Sequence, residues 1–337
     1  MLNNHFSTSF FLSNRRFSLS KNKRHLANCL TRSVKIQRGA KNYLLIVNNL
    51  KLSALSNLYY KQHLMIWPFK KNKKIARIEI TGAIASQTRK QVLKAFKIVE
   101  EKKFPALLLR IDSPGGTVAD SQEIFSALQK LQSEKDVKVV ASFGNISASG
   151  GVYIGVGAKH IVSNPGTITG SIGVILRGNN LERLLDKVGV SFKVVKSGPY
   201  KDILAFDRET TEEEVHILQQ LIDVSYDQFV STVARGRGLD KDTVRTFADG
   251  RVFTGEQALE LGLVDRLCTE EDARRWAAEL AGLDPEKTEC FDIEEPKPFI
   301  NRFIPGRSQT QSGLIGAVDS LQFDLATNGM ALWLYRP

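Results

Sequence analysis

The chain has 337 residues, 42% of them apolar, which is enough for one large domain or two small ones. Its formal net charge of +11 is misleading, because residues 1–78 carry 16 of the 47 basic side chains and no acidic side chain. The rest of the chain carries 31 basic and 36 acidic side chains, a net charge of about −5. The high isoelectric point is therefore no sign of a nucleic-acid site in the core, and we expect no nucleic-acid partner.

The cysteines and histidines show no spacing typical of a metal or redox site. An odd, sparse count of cysteines (Cys29, Cys268 and Cys290) is typical of a reducing compartment. Only His160 and His216 lie in the organised region, and neither has a metal-ligand partner one helical turn away. We therefore expect no metal and no cofactor, and few candidates for a serine–histidine–aspartate triad.

Residues 1–70 are basic and show no steady helical or strand period. We expect a disordered extension, with Met65 as the true start of the protein. A transit peptide and a basic tail that contacts nucleic acid or anionic lipid are the alternatives. The apolar run Tyr43–Val47 is far shorter than the ~18 residues of a membrane span, and no secretory signal is evident. The predicted location is cytoplasmic or peripheral on the cytoplasmic membrane face, where Trp67 and Phe69 beside lysines could contact lipid.

From residue 75 onward, strand and helix patterns alternate along the chain. Ile75–Ile80 alternates apolar and polar residues, as a half-buried strand does, and Phe104–Ile111 is almost continuously apolar, as in a strand buried on both faces. Further strands are predicted over residues 137–142, 160–163, 171–176, 191–195 and 263–267, and helices over 88–102, after 116, and over 180–188, 210–234, 240–248 and 255–261. This alternation implies an α/β fold with a largely parallel sheet.

The longest predicted helix begins at a capping-box pattern, Thr210 to Glu213. Its apolar stripe is expected to be buried, and comprises Val215, Leu218, Ile222 and Phe229.

The organised pattern predicts a folded domain over residues 71–284. Residues 285–337 are expected to form a loose C-terminal arm, in which Met330–Tyr335 is a short apolar segment.

Two glycine-bearing turns, Asp112–Gly116 and Asn145–Gly151, follow predicted strands. Sites in parallel α/β folds form at the carboxyl ends of strands, and glycine lets backbone N–H groups approach a ligand closely. We assign the Gly116 and Gly150 N–H groups to an oxyanion hole, in which each donor contributes about 3–4 kcal/mol to transition-state binding. Tight packing of small residues is the alternative for both turns.

The candidate nucleophile is Ser149, at the tip of the second turn, with Ser147 as the nearby competitor. Serine becomes a good nucleophile when a base takes its proton, and a desolvated lysine can be that base. Lys201 follows a Gly-Pro turn 52 residues later. Because a free lysine is protonated at neutral pH, we expect Lys201 to be buried in the folded protein, with Asp202 pointing elsewhere. A solvated surface lysine is the alternative.

Several motifs occur together and in order along the chain: Asp112–Gly116, Ser147–Ile154, Thr169–Val174, Lys196–Asp202, Gly236–Gly238 and Asp249–Phe253. A resemblance to a known family rests on them. Over about residues 74–270 the chain resembles the signal peptide peptidase SppA (protease IV) family, in its short single-domain bacterial and cyanobacterial form. The chain departs from many members of that family in one respect, since no amino-terminal membrane anchor is evident in its sequence.

The resemblance implies a Clp-protease/crotonase-like fold of repeated β-β-α units, a serine/lysine dyad and a homo-oligomer. It places the nucleophile on Ser149, the general base on Lys201, and a serine that orients the lysine on Ser171. It also implies that neighbouring protomers share the dyad. Residues 71–284 would then be the peptidase domain.

The resulting hypothesis is a serine endopeptidase that cleaves residual signal peptides and other apolar, extended polypeptides without a cofactor. One alternative is a crotonase-like acyl-CoA enzyme, which normally uses acid/base carboxylates where these turns offer a serine and a lysine. A second alternative is a non-catalytic membrane-associated scaffold, which would not need a buried Lys201.

Overall fold

The computed structural model describes residues 72–293, 323, 327 and 329–335, together with the backbone of 35–39 and 42–46. The chain divides into two units, Met1–Phe69 and Lys70–Pro337, which are described separately. In the first unit, β1 (Lys35–Gly39) and β2 (Asn42–Ile46) form an antiparallel hairpin where no strand was predicted. The other residues of the predicted extension 1–70, including Met65, lie outside the described residues.

The second unit contains eleven strands and eight helices within its described residues. In chain order they are β3 (Ile75–Thr81), α1 (Ser86–Glu101), β4 (Ala106–Ser113), β5 (Gly115–Thr117), α2 (Val118–Lys135), β6 (Lys138–Ala148), α3 (Gly150–Gly155), β7 (His160–Ser163), β8 (Ile168–Gly170), β9 (Ile175–Leu176), α4 (Glu182–Val188), α5 (Glu212–Arg237), α6 (Lys241–Arg245), β10 (Val252–Thr254), α7 (Gly255–Glu260), β11 (Arg266–Leu267), α8 (Glu270–Leu280), β12 (Cys290–Asp292) and β13 (Ala331–Leu334).

Eight strands form one sheet in the order β10-β8-β6-β4-β3-β12, with β7 paired to β6 and β11 paired to β7. Neighbouring strands are parallel except β10, which runs antiparallel to β8. The predicted α/β class with a largely parallel sheet is therefore confirmed.

The sheet is covered on both faces, as the apolar run in β4 predicts. Leu107 and Leu109 pack into the larger core, to which α1, α2 and α3 contribute. Leu108 points to the opposite face and packs with Ala273 and Ala277 of α8. Because the side chains of a strand alternate, one apolar segment serves both cores.

Three differences from the predicted elements concern residues 181–237. The capping box at the start of α5 lies one residue later than predicted, on Thr211 and Glu214. The predicted stripe of α5 is buried only from Phe229 onward, and Val215 is exposed. The predicted strand 191–195 is not formed, since no strand among the described residues pairs with it. Several apolar side chains of this region are exposed in the single chain, among them Phe192, Val194 and Val195.

Two elements near the end of the domain were missed, helix α8 and strand β12. The helix has its own capping box, formed by Thr269 and Asp272, and β12 pairs in parallel with β3 at the sheet edge.

A second sheet contains β5, β13 and β9, with β13 in the middle and antiparallel to both neighbours. This second sheet lies beside the end of β6, because its strand β5 contacts α3, the helix that directly follows β6. Within the arm that we expected to be loose, residues 331–334 thus form a strand, because β5 and β9 offer unpaired edges.

Candidate active site

Ser149 connects the end of β6 to the start of α3. Its backbone has φ 54° and ψ −112°, a strained conformation for a residue with a side chain. Ser149 N donates a hydrogen bond to Gly170 O (2.8 Å), and Ser149 O accepts one from Tyr153 N (2.9 Å). A sharp strand-to-helix turn of this kind can present a serine as a nucleophile.

The competing serine, Ser147, lies on β6 itself and is fully buried. Its Oγ makes no hydrogen bond within the described structure. Ser149 is buried as well, at 1% exposure, so what distinguishes it from Ser147 is its strained strand-to-helix backbone.

The first glycine turn is held in place by side chains at the end of β4. Asp112 accepts hydrogen bonds from Ile146 N (3.0 Å) and Asn145 Nδ2 (3.1 Å), which joins the two turns. Ser113 Oγ donates to Gly82 O (2.6 Å) and accepts from Gly115 N (3.1 Å). These bonds fix the backbone on which Gly116 lies.

The backbone N–H groups of Gly116 and Gly150 lie close together. A Cβ added to Gly150 would be 3.1 Å from Gly116 N and 3.1 Å from Trp333 O, so the Gly116 amide nitrogen and this carbonyl oxygen both lie next to Gly150. A side chain at Gly116 would collide with the backbone of Ile84, and one at Gly150 would come within 2.8 Å of Ser121 Oγ. Glycine is therefore needed at both positions.

Ser171 lies directly after β8, which pairs with the end of β6. It has φ 50° and is 8% exposed, and its N–H donates to Arg251 O (2.7 Å). A cleft of about 340 Å³ adjoins it. The cleft is lined by Ser171, Gly173, Val174, Ile175, Arg177, Asp249, Gly250, Leu334 and Tyr335.

Lys201 lies on a turn between α4 and α5, and its side chain is exposed in the single chain. Among the residues that the structure describes, its Nζ makes no hydrogen bond or ion pair. The single chain thus brings Ser149, Ser171, Gly116 and Gly150 together but does not bury Lys201 as expected.

An arginine that the sequence reasoning missed organises the segment carrying Lys201. Arg208 Nη2 pairs with Asp202 (2.8 Å) and with the buried Glu214 (2.5 Å), and Lys196 also pairs with Asp202 (2.6 Å). The Asp202 carboxylate thus faces these two cations, as expected. Arg208 lowers the pKa of Glu214 to about 2 and, with Lys196, holds that of Asp202 below its usual range. Asp202, Arg208 and Glu214 follow one another at intervals of six residues, a spacing that does not reveal their pairing in the sequence.

Trp333 of β13 was also missed as part of the site. It is fully buried, and its ring stacks on Tyr153 with 4.0 Å between centroids. The apolar segment Met330–Tyr335 was the available signal, but its sequence does not say where it packs.

Residues 131–284 of this chain match the family described as peptidase family S49. The protein "Putative protease slr0021" of Synechocystis sp. is 70% identical over 279 residues, which cover 81% of this chain and 100% of that protein. "Putative signal peptide peptidase SppA" of Enterococcus faecium is 39% identical over 214 residues, which cover 60% of this chain and 62% of that protein.

Among solved structures, a mutant of a 1510-N membrane-bound stomatin-specific protease superposes with a TM-score of 0.46 at 17% identity. The superposition covers 66% of this chain and 99% of that one.

The chain belongs to peptidase family S49. It is a serine peptidase, and the predicted enzyme class is confirmed.

Proposed function

We propose that this serine peptidase cleaves residual signal peptides and other apolar, extended polypeptides with Ser149 and Lys201 as its dyad. The observation that carries the proposal is the strained Ser149 turn beside Gly116 and Gly150, whose backbones lie close together. The names of relatives, such as the signal peptide peptidase of E. faecium, support the substrate class.

In the proposed reaction, Ser149 Oγ attacks the carbonyl carbon of the peptide bond while Lys201 Nζ takes the serine proton. The Gly116 and Gly150 N–H groups stabilise the oxyanion, in a position fixed before the substrate arrives. Lys201 then gives the proton to the leaving amine, and water hydrolyses the acyl-enzyme. Ser171 accepts or donates a hydrogen bond that orients Lys201.

The dyad is proposed to form between neighbouring copies in a homo-oligomer. Three features support this: Lys201 is exposed in the single chain, the cleft beside Ser171 has room for a side chain, and apolar residues of the Lys201-bearing region are exposed. The most exposed of them is Val195, at 92%, and Val224 is 71% exposed. Several exposed apolar side chains in one region are typical of an interface.

We retain a cytoplasmic location, or a peripheral one on the cytoplasmic membrane face, as part of the proposal. Within the described part of the chain, none of the helices combines the length and apolar character that a membrane crossing requires. The contact proposed for Trp67 and Phe69 lies outside the described residues.

A fluorophosphonate probe tests the proposed function directly. We expect it to acylate Ser149, as located by peptide mapping with mass spectrometry, because the probe reacts with an activated serine in an oxyanion hole. Ser149→Ala should lose the label, and Ser147→Ala, the matched control two residues away, should keep it.

Labelling of another residue, or undiminished labelling of Ser149→Ala, would refute Ser149 as nucleophile. No labelling of the folded chain would favour the acyl-CoA enzyme or the scaffold.

Arg208 is expected to position Lys201. Arg208→Ala removes the cation that joins Asp202 to Glu214, and should lower kcat for peptide hydrolysis by roughly tenfold to a hundredfold, because small displacements of a catalytic group are costly. Steady-state kinetics on a fluorogenic peptide measures this change. The control is Arg245→Ala, an exposed arginine that also pairs with two carboxylates, and it should retain normal turnover.

The stability contributed by the ion-pair cluster of Arg208, Asp202 and Glu214 is expected to be lost in acid. Since the pKa of Glu214 is lowered to about 2, its pairing stabilises the fold above the usual carboxyl pKa of about 4 and is lost as pH falls through about 2. Acid titration of Arg208→Ala should therefore show the Glu214 carboxyl titrating at higher pH.

The kinetic comparison decides the positioning role of Arg208. An equal loss of kcat in Arg208→Ala and Arg245→Ala, or no loss in Arg208→Ala, would rule that role out.

A further inference from the structure

Strand β6 carries an irregularity just before the candidate nucleophile. Its pairs with β4 on either side of that irregularity are Ile111 with Phe143 and Ser113 with Ser147. Three residues of β6, 144–146, therefore lie opposite the single residue Asp112 of β4. Such a bulge bends a strand, and bulges beside active sites redirect a side chain. Ser149 follows directly after this strand, so the bulge lies where it affects the direction of the nucleophile.

The Asp112 side chain fills the bulge. One carboxylate oxygen accepts a hydrogen bond from Ile146 N (3.0 Å), and the other accepts one from Asn145 Nδ2 (3.1 Å). The extra residues of a bulge lack partners in the strand ladder, and an unpaired backbone N–H group is unfavourable. The carboxylate of Asp112 thus supplies the acceptor that the interrupted ladder does not.

Gly144 leaves the space that this carboxylate occupies. A Cβ added to Gly144 would be 2.5 Å from Asp112 Cγ, 2.6 Å from its Cβ and 2.7 Å from its Oδ2. Because these distances are too short for non-bonded atoms, a side chain at position 144 would displace the Asp112 side chain. The backbone of the bulge and the carboxylate therefore fit each other closely.

Two threonines hold the bulge from the side of β8. Thr167 Oγ1 donates to Gly144 O (2.8 Å), and Thr169 Oγ1 donates to Ser147 O (2.7 Å). Both threonine side chains are buried. Since β6 lies between β4 and β8 in the sheet, side chains from both neighbouring strands fix the backbone that leads to Ser149.

The bulge sets how the nucleophile turn meets the oxyanion turn. Beyond it the two strands pair again and lead directly into the two glycine turns. The turns approach closely, because a Cβ added to Gly115 would be 2.6 Å from Gly150 N. A small shift of β6 along β4 would therefore move Ser149 relative to the Gly116 amide, which the β4 side carries.

We infer that Asp112 is a positioning residue for peptide hydrolysis: it holds the bulge of β6 so that Ser149 is aligned with the Gly116 and Gly150 amides. Asp112 acts through the backbone of β6 and takes no part in the chemical step. The inference rests on the proposed function and adds to it the residue that keeps nucleophile and oxyanion hole in register.

Steady-state kinetics of Asp112→Ala test the inference. The variant leaves Ile146 N without its acceptor and should lower kcat for a fluorogenic peptide by roughly a hundredfold, because small displacements of a reacting group are that costly. KM should change less than about threefold, since the alignment matters in the transition state. The rate of fluorophosphonate labelling at Ser149 should decrease with kcat. Asp112→Asn keeps an oxygen for Ile146 N and should lose less than about fivefold in kcat.

The matched control is Asp240→Ala. The Asp240 carboxylate also accepts two backbone hydrogen bonds, from Asp242 N (2.8 Å) and Thr243 N (3.3 Å), but at the start of α6. Its loss removes a helix cap and should lower the melting temperature, while kcat of the folded protein stays normal. The control thus separates lost positioning from lost stability.

Asn145 offers a second route to the same carboxylate, from an exposed position at which a substitution leaves the core intact. Asn145→Asp places a like charge beside Asp112 and should lower the rate of labelling at Ser149 at least about threefold. Asn145→Ala removes one hydrogen bond and no acceptor of Ile146 N, so its labelling rate should stay within about twofold. This pair of variants decides the inference if Asp112→Ala does not fold.

Unchanged kcat and labelling rate in folded Asp112→Ala, or an equal loss in folded Asp240→Ala, would overturn the inference. A raised KM with unchanged kcat would overturn it too, because it would mean that Asp112 contacts the substrate. Equal labelling rates in Asn145→Asp and Asn145→Ala would count against it in the same way. Absence of labelling in the unmodified chain would contradict the proposed function together with this inference, whereas labelling of Ser149 at the same rate in Asp112→Ala would overturn this inference alone.

Discussion

Lys201→Arg is expected to lower kcat for peptide hydrolysis by about a thousandfold at neutral pH. Proton transfer by a positioned base contributes roughly 10²–10⁴-fold to enzymatic rates, and guanidinium keeps its proton under all these conditions. The substitution keeps a long, flexible side chain at this position, so oligomerisation should be retained. Steady-state kinetics on a fluorogenic peptide, with the oligomeric state checked by size-exclusion chromatography, measures the loss.

The matched control is Lys196→Arg, a charge-preserving change on the same segment. Its partner Asp202 can accept from either side chain, so turnover should be nearly normal. Turnover of Lys201→Arg close to that of the unmodified enzyme would eliminate Lys201 as the base.

In the unmodified enzyme kcat should increase with pH toward an alkaline optimum, since only a neutral amine can accept the serine proton.

Local sequence patterns predicted the sheet and the serine turn well. The apolar run of β4 is buried on both faces, and the two glycine turns lie together because they follow adjacent parallel strands, β4 and β6. The strain at Ser149 and the close approach of Gly116 to Gly150 are consistent with the small residues at these positions. Each of these features depends on residues close in sequence or on neighbouring strands.

Features that depend on distant partners were not predictable. The pairing of β13 with β5 joins residues 331–334 to residues 115–117, and the sequence of the apolar segment does not indicate which strand it pairs with. The segment 191–195 has strand-like side chains, but pairing requires a strand edge that the described part of the chain does not supply. Helix α8 is different, because the Thr269 capping box could have been read from the sequence.

The central claim is that one site combines Ser149 of one chain with Lys201 of another, and mixed oligomers test it most directly. Pure Ser149→Ala and pure Lys201→Ala proteins should each be inactive, because every site lacks one member of the dyad. When the two are unfolded together and reassembled in equal amounts, random placement around a closed ring should leave about one site in four intact.

Peptide hydrolysis per site, in oligomers whose mixed composition is verified by native mass spectrometry, is the measurement. The account predicts about a quarter of the unmodified activity in the mixture, and none in either pure variant treated in the same way. Continued inactivity in verified mixed oligomers would contradict the account, because it would mean that each chain builds its own dyad.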